Sequence, residues 1–470
     1  MSLTSALFAG VSGLNALGSA LRVIGDNVAN INTIGFKGSR ATFQDVLAQS
    51  ISTAAGASQL GRGCNLSSVN TTFVQGSFES TNSPTDLAIE GQGFFMVRQP
   101  NTESIYYTRA GQFQLNKDGY FTNPAGYIVE GWKLNEEGQD VGAITDIKLD
   151  SFSLPPKPTD LIQVITQLDA NAESKTDNLF GEWNGSQSTP IASEKFAYHT
   201  SLKVYDSLGV SHDITIYFDP GAEDNTWEFI VTCSPDEDQR AFSGTTDPGL
   251  GMLAAGTLHF TGAGALASLD FQPYIPGTGL ATGSIQFSNA GYPMFTVDFI
   301  AGSGGLQTID FNVGIRNVGS GGSIDWQLET PYTTQYATAS TTVFQTQTGY
   351  ASGFLDRLSV STDGIITGHY SNGQITPLYR VALARFNNPQ GLSKEGGNLF
   401  AETRSSGDRI PGHPGENGLG RIAPNSLEQS NVDLATEFVR MIINQRGFQA
   451  NSKIITTVDA MLDELIRLKR

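Results

Sequence analysis

Leu-Ala-Thr-Glu-Phe-Val-Arg-Met-Ile-Ile-Asn-Gln-Arg-Gly-Phe, residues 434 to 448, begins a stretch in which apolar side chains recur at steps of three, four and seven up to Ile466. This spacing places them on one face of an α-helix. Asn431 is the predicted N-cap, and Arg467 suits the C-terminal turn. The stretch therefore predicts one long terminal helix. Its apolar face comprises Leu434, Phe438, Met441, Phe448, Ile455, Leu462 and Ile466.

A second amphipathic segment lies at the other end of the chain. Its apolar residues alternate at steps of three and four, the a/d pattern of a coiled coil, with Gly10 in the seam. Two helices alone cannot cover such wide apolar faces, which favours packing against further copies of the chain. The alternative is that both helices fold back and cover a core. The seam residues are Leu3, Leu7, Leu14, Leu17, Leu21, Ile24 and Val28.

Length and composition indicate several β-rich domains. A chain of 470 residues exceeds what one hydrophobic core serves. The 53 glycines and the 16% share of charged residues are typical of a turn-rich globular protein. Between the terminal helices, the sequence has the alternation and turn signals of strands. The predicted fold is mixed and mainly β, with nested β domains formed by discontinuous segments and with the terminal helices paired as a coiled coil.

Charge, hydropathy and cysteine content exclude several classes of partner. The net charge of −18 argues against nucleic acid or an anionic membrane. Residues 1–50 and 431–470 each carry +1, which leaves −20 for the middle of the chain. No apolar run approaches transmembrane length and no cleavable secretory signal is present, so no membrane insertion is predicted. The wide separation of Cys64 and Cys233 predicts buried free thiols.

A turn rich in Asn and Gly follows the first helix and is predicted to end it. Its run Ala-Asn-Ile-Asn-Thr-Ile-Gly-Phe-Lys, residues 29 to 37, resembles the N-terminal signature of the bacterial flagellar axial proteins, which include rod, hook and hook-filament junction proteins. Residues 430–439 and 444–453 resemble the C-terminal signature, although Gly447 and Phe448 stand where the family often has Ala-Tyr. The signature turn comprises Asn27, Asn30, Asn32, Thr33, Gly35, Phe36 and Lys37.

The resemblance also covers the β regions and implies a concentric arrangement. Residues 86–97 and 108–113 resemble the first β domain of hook and distal rod proteins, and the same pattern of turns returns near Phe344. The predicted domains are 1–35 with 428–470 as a coiled-coil assembly domain, 36–70 with 396–427 as a linker zone, 71–153 with 341–395 as an inner β domain, and 154–340 as an inserted outer β domain with room for two subdomains.

No motif indicates catalysis. The five histidines show no metal-binding spacing, and the sequence has no nucleophile elbow, dinucleotide fingerprint or phosphate-binding loop. We interpret His212 beside Asp213 as a surface turn rather than a catalytic dyad. No enzyme activity, cofactor or metal is predicted, and no catalytic, cofactor-binding or metal-binding residue is assigned.

The resemblance implies a structural function. The long insertion favours the hook branch of the family over the rod branch. We therefore expect an extracellular structural subunit that polymerises into a curved helical tube in the hook, near the flagellar basal body. The implied partners are further copies of the chain, a hook cap protein, distal rod and hook-filament junction proteins, and the flagellar type III export apparatus. The alternatives are another axial protein, such as distal rod, and a secreted β-rich binding protein or glycan-active enzyme.

Deletion of residues 1–30 separates these classes of protein. If the helices serve assembly, the truncated chain should lose polymer formation while its β domains stay folded. If the helices cover a core, the truncated chain should unfold. Electron microscopy of polymers and circular dichroism of the soluble chain measure the two outcomes. The point change Leu14→Asp should abolish motility for the same reason, and motile cells carrying it would contradict the seam assignment.

Overall fold

The computed structural model describes residues 3–53, 56–149, 152–242, 247–281, 285–300, 305–319 and 323–468. Side chains at 3, 4, 49–58, 60, 465 and 468 lie outside this description, so the predicted seam residue Leu3 has no described side-chain contact. The chain forms two compact units from discontinuous segments. The first comprises 1–152, 355–369 and 375–470, and the second comprises 153–354 and 370–374.

Two long helices occupy the chain ends, as predicted, and strands dominate between them. Helix α1 spans Leu3–Ala29 and α2 spans Leu434–Leu468. The periodic apolar residues and the absence of internal proline allow both to run long. Three short 3-10 helices lie at Leu179–Glu182, Pro235–Glu237 and Pro389–Gly391.

The strands are short and follow one another closely. Before the second unit they are β1 Ser39–Asp45, β2 Gln49–Thr53, β3 Gly56–Leu60, β4 Cys64–Thr71, β5 Phe78–Ser80, β6 Leu87–Glu90, β7 Phe94–Arg98, β8 Ile105–Thr108, β9 Gln114–Leu115, β10 Phe121–Thr122, β11 Ile128–Leu134 and β12 Asp140–Asp146. The next group is β13 Ser153–Leu154, β14 Leu161–Asp169, β15 Tyr198–Tyr205, β16 Ser211–Pro220, β17 Thr226–Cys233, β18 Met252–Phe260, β19 Leu266–Ile275, β20 Gly279–Leu280, β21 Met294–Val297, β22 Gln307–Asn312, β23 Ile315–Asn317, β24 Trp326–Leu328, β25 Thr334–Tyr336 and β26 Thr341–Gln347. The last group is β27 Gly353–Val360, β28 Ile365–Tyr370, β29 Ile375–Val381, β30 Leu383–Arg385, β31 Ser393–Gly396, β32 Leu399–Ala401, β33 Ile410–Gly412, β34 Arg421–Pro424 and β35 Ser426–Glu428.

The first unit is built around a sheet in which three strands from the N-terminal half lie between strands from the C-terminal half. Its central order is β28-β29-β11-β7-β8-β32-β31. Along β7, Phe95 and Val97 enter one apolar cluster while Phe94 and Met96 enter another, because successive side chains point to opposite faces. The sheet is therefore buried on both faces, and neither half of the chain completes it alone.

The segments predicted as a linker zone contain regular structure. β1 pairs with β4 and β2 with β3, so the described residues from 39 to 71 form two antiparallel ribbons, and the β1/β4 ribbon packs against α1. Within 396–427, β34 pairs with β6 and β32 with β8. The small, neutral side chains that suggested a linker are also compatible with strands packed closely against a helix.

The second unit is a β-sandwich. Strands β15 to β20 form an antiparallel sheet in chain order. The facing sheet has the order β21-β22-β14-β25, and β26 also pairs with β14, in antiparallel orientation. Aromatic side chains fill the space between the sheets; the rings of Phe229 and Phe311 lie 5.6 Å apart. A smaller cluster around Leu179 and Trp183 covers the outer face of the six-stranded sheet.

Because each unit has its own core, a core mutation should destabilise one unit only. Phe311→Ala should lower the stability of the second unit by about 3–5 kcal/mol, since Phe311 is fully buried. Differential scanning calorimetry should show one transition shifted and the other unchanged. The control is Phe354→Ala, which removes a ring that is 73% exposed and should change little. Equal shifts for both variants would contradict the assignment of the core.

Candidate functional site

Helices α1 and α2 pack against each other in antiparallel order. Gly10 of α1 lies beside Ile455, and Leu17 lies beside Gly447. A methyl group added at Gly10 would stand 3.2 Å from Ile455 Cγ1, and one at Gly447 would stand 3.2 Å from Leu17 Cδ1. Glycine at these two positions therefore permits the close approach, which explains why Gly447 is tolerated within α2 despite its low helix propensity.

The buried face of α1 consists largely of small residues rather than of the leucines of the predicted seam. Among the seam residues with described side chains, Ile24 is buried, whereas Leu7, Leu14, Leu17, Leu21 and Val28 are half-buried. Leu17 contacts α2 at Gly447, but all the leucines with described side chains remain partly open to solvent. The most buried positions of the helix are Gly10, Gly13, Ala16, Ala20, Ile24 and Asn27.

Helix α2 turns a partly polar face towards α1 and an apolar face outward. Glu437 is buried, and Asn451 contacts Gly13 of α1. Of the predicted stripe, Met441, Ile455 and Leu462 are half-buried, whereas Leu434, Phe438, Phe448 and Ile466 are exposed. Sequence reasoning missed the further exposed apolar residues on this helix because they fall outside the chosen stripe: Val439, Ile442, Ile443, Ile454 and Met461.

By length and composition, the segment Ser5–Ala29 of α1 could cross a membrane. The expectation that no apolar run approaches that length is therefore wrong on those criteria. Core helices of soluble proteins pass the same test. In this structure α1 packs against α2, β1 and β4.

Two asparagines join the helices to the neighbouring strands and loops of the first unit. Asn27 donates from Nδ2 to Ser39 O and accepts from Ser39 N at Oδ1, both at 2.8 Å. Asn431 accepts from Gly38 N at 2.8 Å and donates to Thr72 O and Val74 O. The prediction that Asn431 is the N-cap of α2 is wrong. Asp433 has that role, because its Oδ1 accepts from Thr436 N.

A buried cluster of three charged side chains lies beside these asparagines. Lys37 Nζ stands 2.5 Å from Glu428 Oε1, and both side chains are fully buried. Arg109 NH1 stands 3.3 Å from Glu428 Oε2. Glu428 Oε1 also accepts from the amide of Gly76 at 2.9 Å, and Lys37 donates to Val74 O at 2.9 Å. One carboxylate thus joins the N-terminal segment, the β-unit and the strand that leads to α2.

The cluster carries one more positive than negative charge, which makes burial costly. Burial lowers the pKa of Lys37 below its ordinary value, while Glu428 opposes the shift; the pKa of Arg109 is lowered for the same reason. Backbone carbonyls compensate in part, since Arg109 also donates to Gly91 O at 2.8 Å. The Glu428 carboxylate is therefore indispensable to the arrangement.

The other signature residues shape the turn. Gly35 has φ +69°, and a methyl group there would stand 2.5 Å from Ala110 N, so glycine is required. Phe36 is buried under the ammonium of Lys394, which lies 5.3 Å from the ring centre. Thr33 donates to Asn30 Oδ1, and both are half-buried, whereas Asn32 is exposed. Except for Asn32, the signature turn therefore has a structural explanation.

Glu428 and Arg109 are the residues that sequence reasoning missed. Lys37 and Glu428 are separated by 391 positions, and no local periodicity connects residues so far apart. The available signal was an acidic residue just before the C-terminal signature and a conspicuous lysine at the end of the N-terminal one.

The histidine, aspartate and cysteine residues considered for chemistry in the sequence make contacts that stabilise the fold or are free. His212 is buried in β16, so its interpretation as a surface turn is wrong. Its Nδ1 lies 3.0 Å from Glu237 Oε2, and its ring stacks on Phe299 at 3.9 Å. Asp213 pairs with Lys203 instead. Of the two thiols, Cys233 is buried and Cys64 half-buried, and both are free. Within the described ranges, no group of three or more His, Cys, Asp or Glu side chains is arranged to hold a metal ion.

Removal of the Glu428 carboxylate should destabilise the junction, by which we mean the region around Lys37, Arg109 and Glu428 where the terminal helices meet the sheet. Glu428→Gln leaves two buried cations without a counter-charge and should cost about 3–5 kcal/mol. The matched control is Glu90→Gln, the same change at an exposed position on β6, where we expect a loss within about 0.5 kcal/mol. Denaturant titration of the full chain measures both. Equal stability of the two variants would show that the cluster does not hold the junction.

Family models match four parts of the chain. Residues 7–37 match a flagella basal body rod protein model, residues 88–166 the flagellar hook protein FlgE/F/G D1 domain, residues 167–350 the flagellar basal body protein FlaE D2 domain, and residues 423–468 the flagellar basal body rod FlgEFG protein C-terminal model. The first and last matches contain the signature turn and α2.

Curated relatives match over nearly the whole length. Flagellar hook protein FlgE of Borreliella burgdorferi is 36% identical, with 98% of this chain and 99% of the relative covered. The Treponema pallidum protein of the same name is 33% identical, with 99% of each covered. That of Escherichia coli is 31% identical, with 98% of each covered. These matches confirm the resemblance seen in the terminal motifs and do not favour a distal rod protein or a secreted enzyme. The chain belongs to the flagellar hook protein FlgE family.

Proposed function

We propose that this chain is the structural subunit of the bacterial flagellar hook, a curved and flexible helical tube that joins the rod to the filament and transmits motor torque. Its membership of the hook protein family over nearly the full length supports this function. The observation that carries the proposal is the outward apolar face of α2. A single chain leaves that face in water, whereas a polymer can cover it.

The exposed face of α2 is large for a soluble monomer. Ile443 is 64% exposed, Val439 57%, Ile442 51% and Phe438 47%. On α1, Phe8 is 70% exposed. Full burial of one such side chain stabilises an assembly by roughly 1.5–3 kcal/mol, so a few of them supply enough free energy to hold subunits together. Contiguous exposed apolar surface of this kind marks an interaction site.

In the proposed polymer, the terminal helices pack as a coiled coil within and between copies. The residues assigned to this packing are those of the two predicted apolar faces, with the addition of the exposed residues of α2 named above. Contacts between different surfaces of successive copies need not close and so generate a helical filament. In this proposal the terminal helices line the inside of the tube and the inserted β domain faces outward.

The other assignments follow from hook function. The subunit acts outside the cell, in the hook region of the flagellar basal body, and has a structural function without catalysis. It passes through the flagellar type III export apparatus, is added beneath a hook cap protein, and contacts distal rod and hook-filament junction proteins at the two ends of the tube. Nucleic acid and membrane insertion have no part in this function. The strongly acidic middle of the chain supports an outer surface that faces water.

An acidic residue on the outer face of α2 should prevent polymerisation without unfolding the β-units. Phe438→Asp places a charge on a face that the polymer must bury, so hooks should be absent from cells and purified chains should stay monomeric. Phe438→Leu keeps the position apolar and should still give hooks. Electron microscopy and sedimentation measure assembly, and calorimetry measures the fold of the monomer. Normal hooks built from the Phe438→Asp protein would overturn the proposed use of this helix face.

A further inference from the structure

The second unit contains a surface strip without charge in an otherwise acidic domain. Residues 153–354 and 370–374 include twenty-one acidic and six basic residues, a net charge of −15. Within them, residues 330–354 contain no Asp, Glu, Lys or Arg. This run includes β26, and five of the seven residues of that strand are exposed. The strip is therefore a place where two copies of the unit can approach without strong mutual repulsion.

The strand in this strip also has an open edge. β26 pairs with β14 over Ile162 to Gln167, and the pairings found among the described residues place no strand on its other side. Exposed edges are commonly protected by lysine, proline or an inward-pointing charge. The sequence Thr-Thr-Val-Phe-Gln-Thr-Gln of β26 has none of these. The strand does have a bulge at Val343, which has no partner on β14, because Phe344 pairs with Ile165 and Thr342 with Thr166. In contrast, the neighbouring edge strand β15 carries Lys203, which is exposed and paired with Asp213.

The strip is held in a fixed position. Thr342 Oγ1 lies 2.8 Å from Tyr198 OH and 2.9 Å from Thr200 Oγ1, and both partners belong to β15. These bonds turn Thr342 inward and leave the neighbouring Val343 and Phe344 60% and 43% exposed. A groove of about 460 Å³ runs beside the strip, between Gln345, Thr346 and Gln347 on one side and Ser201 and Lys203 on the other. An uncharged edge that is already ordered in the single chain, with two exposed apolar side chains and a groove next to it, is suited to an interface.

We infer that β26 is the surface through which the second unit of one copy binds a neighbouring copy of this chain. The inference rests on the proposed function, because a polymer brings many acidic units side by side. The contact uses main-chain hydrogen bonds at the open edge and burial of Val343 and Phe344. In a helical polymer the contact is heterologous, so β26 of one copy meets a different surface of the next.

The inference is tested by chemical labelling in monomer and polymer. Val343→Cys is made with Cys64→Ser, so that the remaining native thiol is Cys233, which is buried and whose pKa burial raises, making it unreactive. Maleimide labelling at position 343 should slow by about tenfold or more on polymerisation, since interface cores exclude water. The control is Asp224→Cys, which lies on an exposed acidic turn and should label at nearly the same rate in both states.

A charge variant provides the second measurement. Val343→Asp should leave the monomer folded, because the side chain is mostly exposed, but its polymers should dissociate at lower temperature. Val343→Thr, which is uncharged and a good strand former, should behave as the unmodified chain. Polymers in which position 343 labels as fast as in the monomer, or polymers of Val343→Asp with unchanged heat stability, would overturn the inference and leave hook function intact. If the unmodified chain forms no polymers, the proposed function fails, and the inference fails with it.

Discussion

The structure of the first unit depends on one buried carboxylate. Glu428 neutralises Lys37, pairs with Arg109 and accepts an amide hydrogen bond from Gly76, and the three charged side chains are buried. Each partner comes from a different part of the chain. Buried ion clusters contribute little net stability, but loss of one member leaves an uncompensated buried charge. The folded chain must therefore keep all three side chains in place. The turn after α1 and the approach to α2 are thus fixed relative to the same sheet.

The terminal helices extend from this junction, and in a single chain their apolar faces are only partly covered. Gly10 and Gly447 allow close approach, because each makes room for a large side chain of the other helix, Ile455 and Leu17 respectively. The larger apolar side chains are left pointing away, Phe438 and Ile443 among them. In a monomeric protein such an arrangement would invite aggregation. In the proposed hook, it is the means by which each subunit adds to the next.

Much of this organisation could be predicted from local pattern. Helical periodicity located both terminal helices, because the spacing of apolar residues within each seven-residue stretch already indicates a helix. The turn from Asn27 to Lys37 was recognisable for the same reason. The face of α1 that contacts α2 was predicted only in part. Gly10 and Leu17 belong to the predicted seam and lie beside α2, whereas the buried Gly13, Ala16 and Ala20 were missed because glycine and alanine give little hydropathy signal although they allow close packing. Asn431 and Asp433 both suit an N-cap, and the choice between them depends on hydrogen bonds to Gly38 and Thr72 that only the fold supplies. Glu428 could not be paired with Lys37 from sequence, since nothing local links them.

The uneven distribution of charge has a consequence for mechanics. Each second unit carries a net charge of −15, whereas both chain ends are close to neutral. In the proposed tube, whose acidic units face outward by our proposal, neighbouring units repel one another over the Debye length, about 8 Å at physiological ionic strength and roughly 30 Å at 0.01 M salt. Dilute surroundings then hold the outer units apart and resist compression on the inner side of a bend, while salt relaxes that resistance. The bending stiffness of such a tube is set partly by the ions around it.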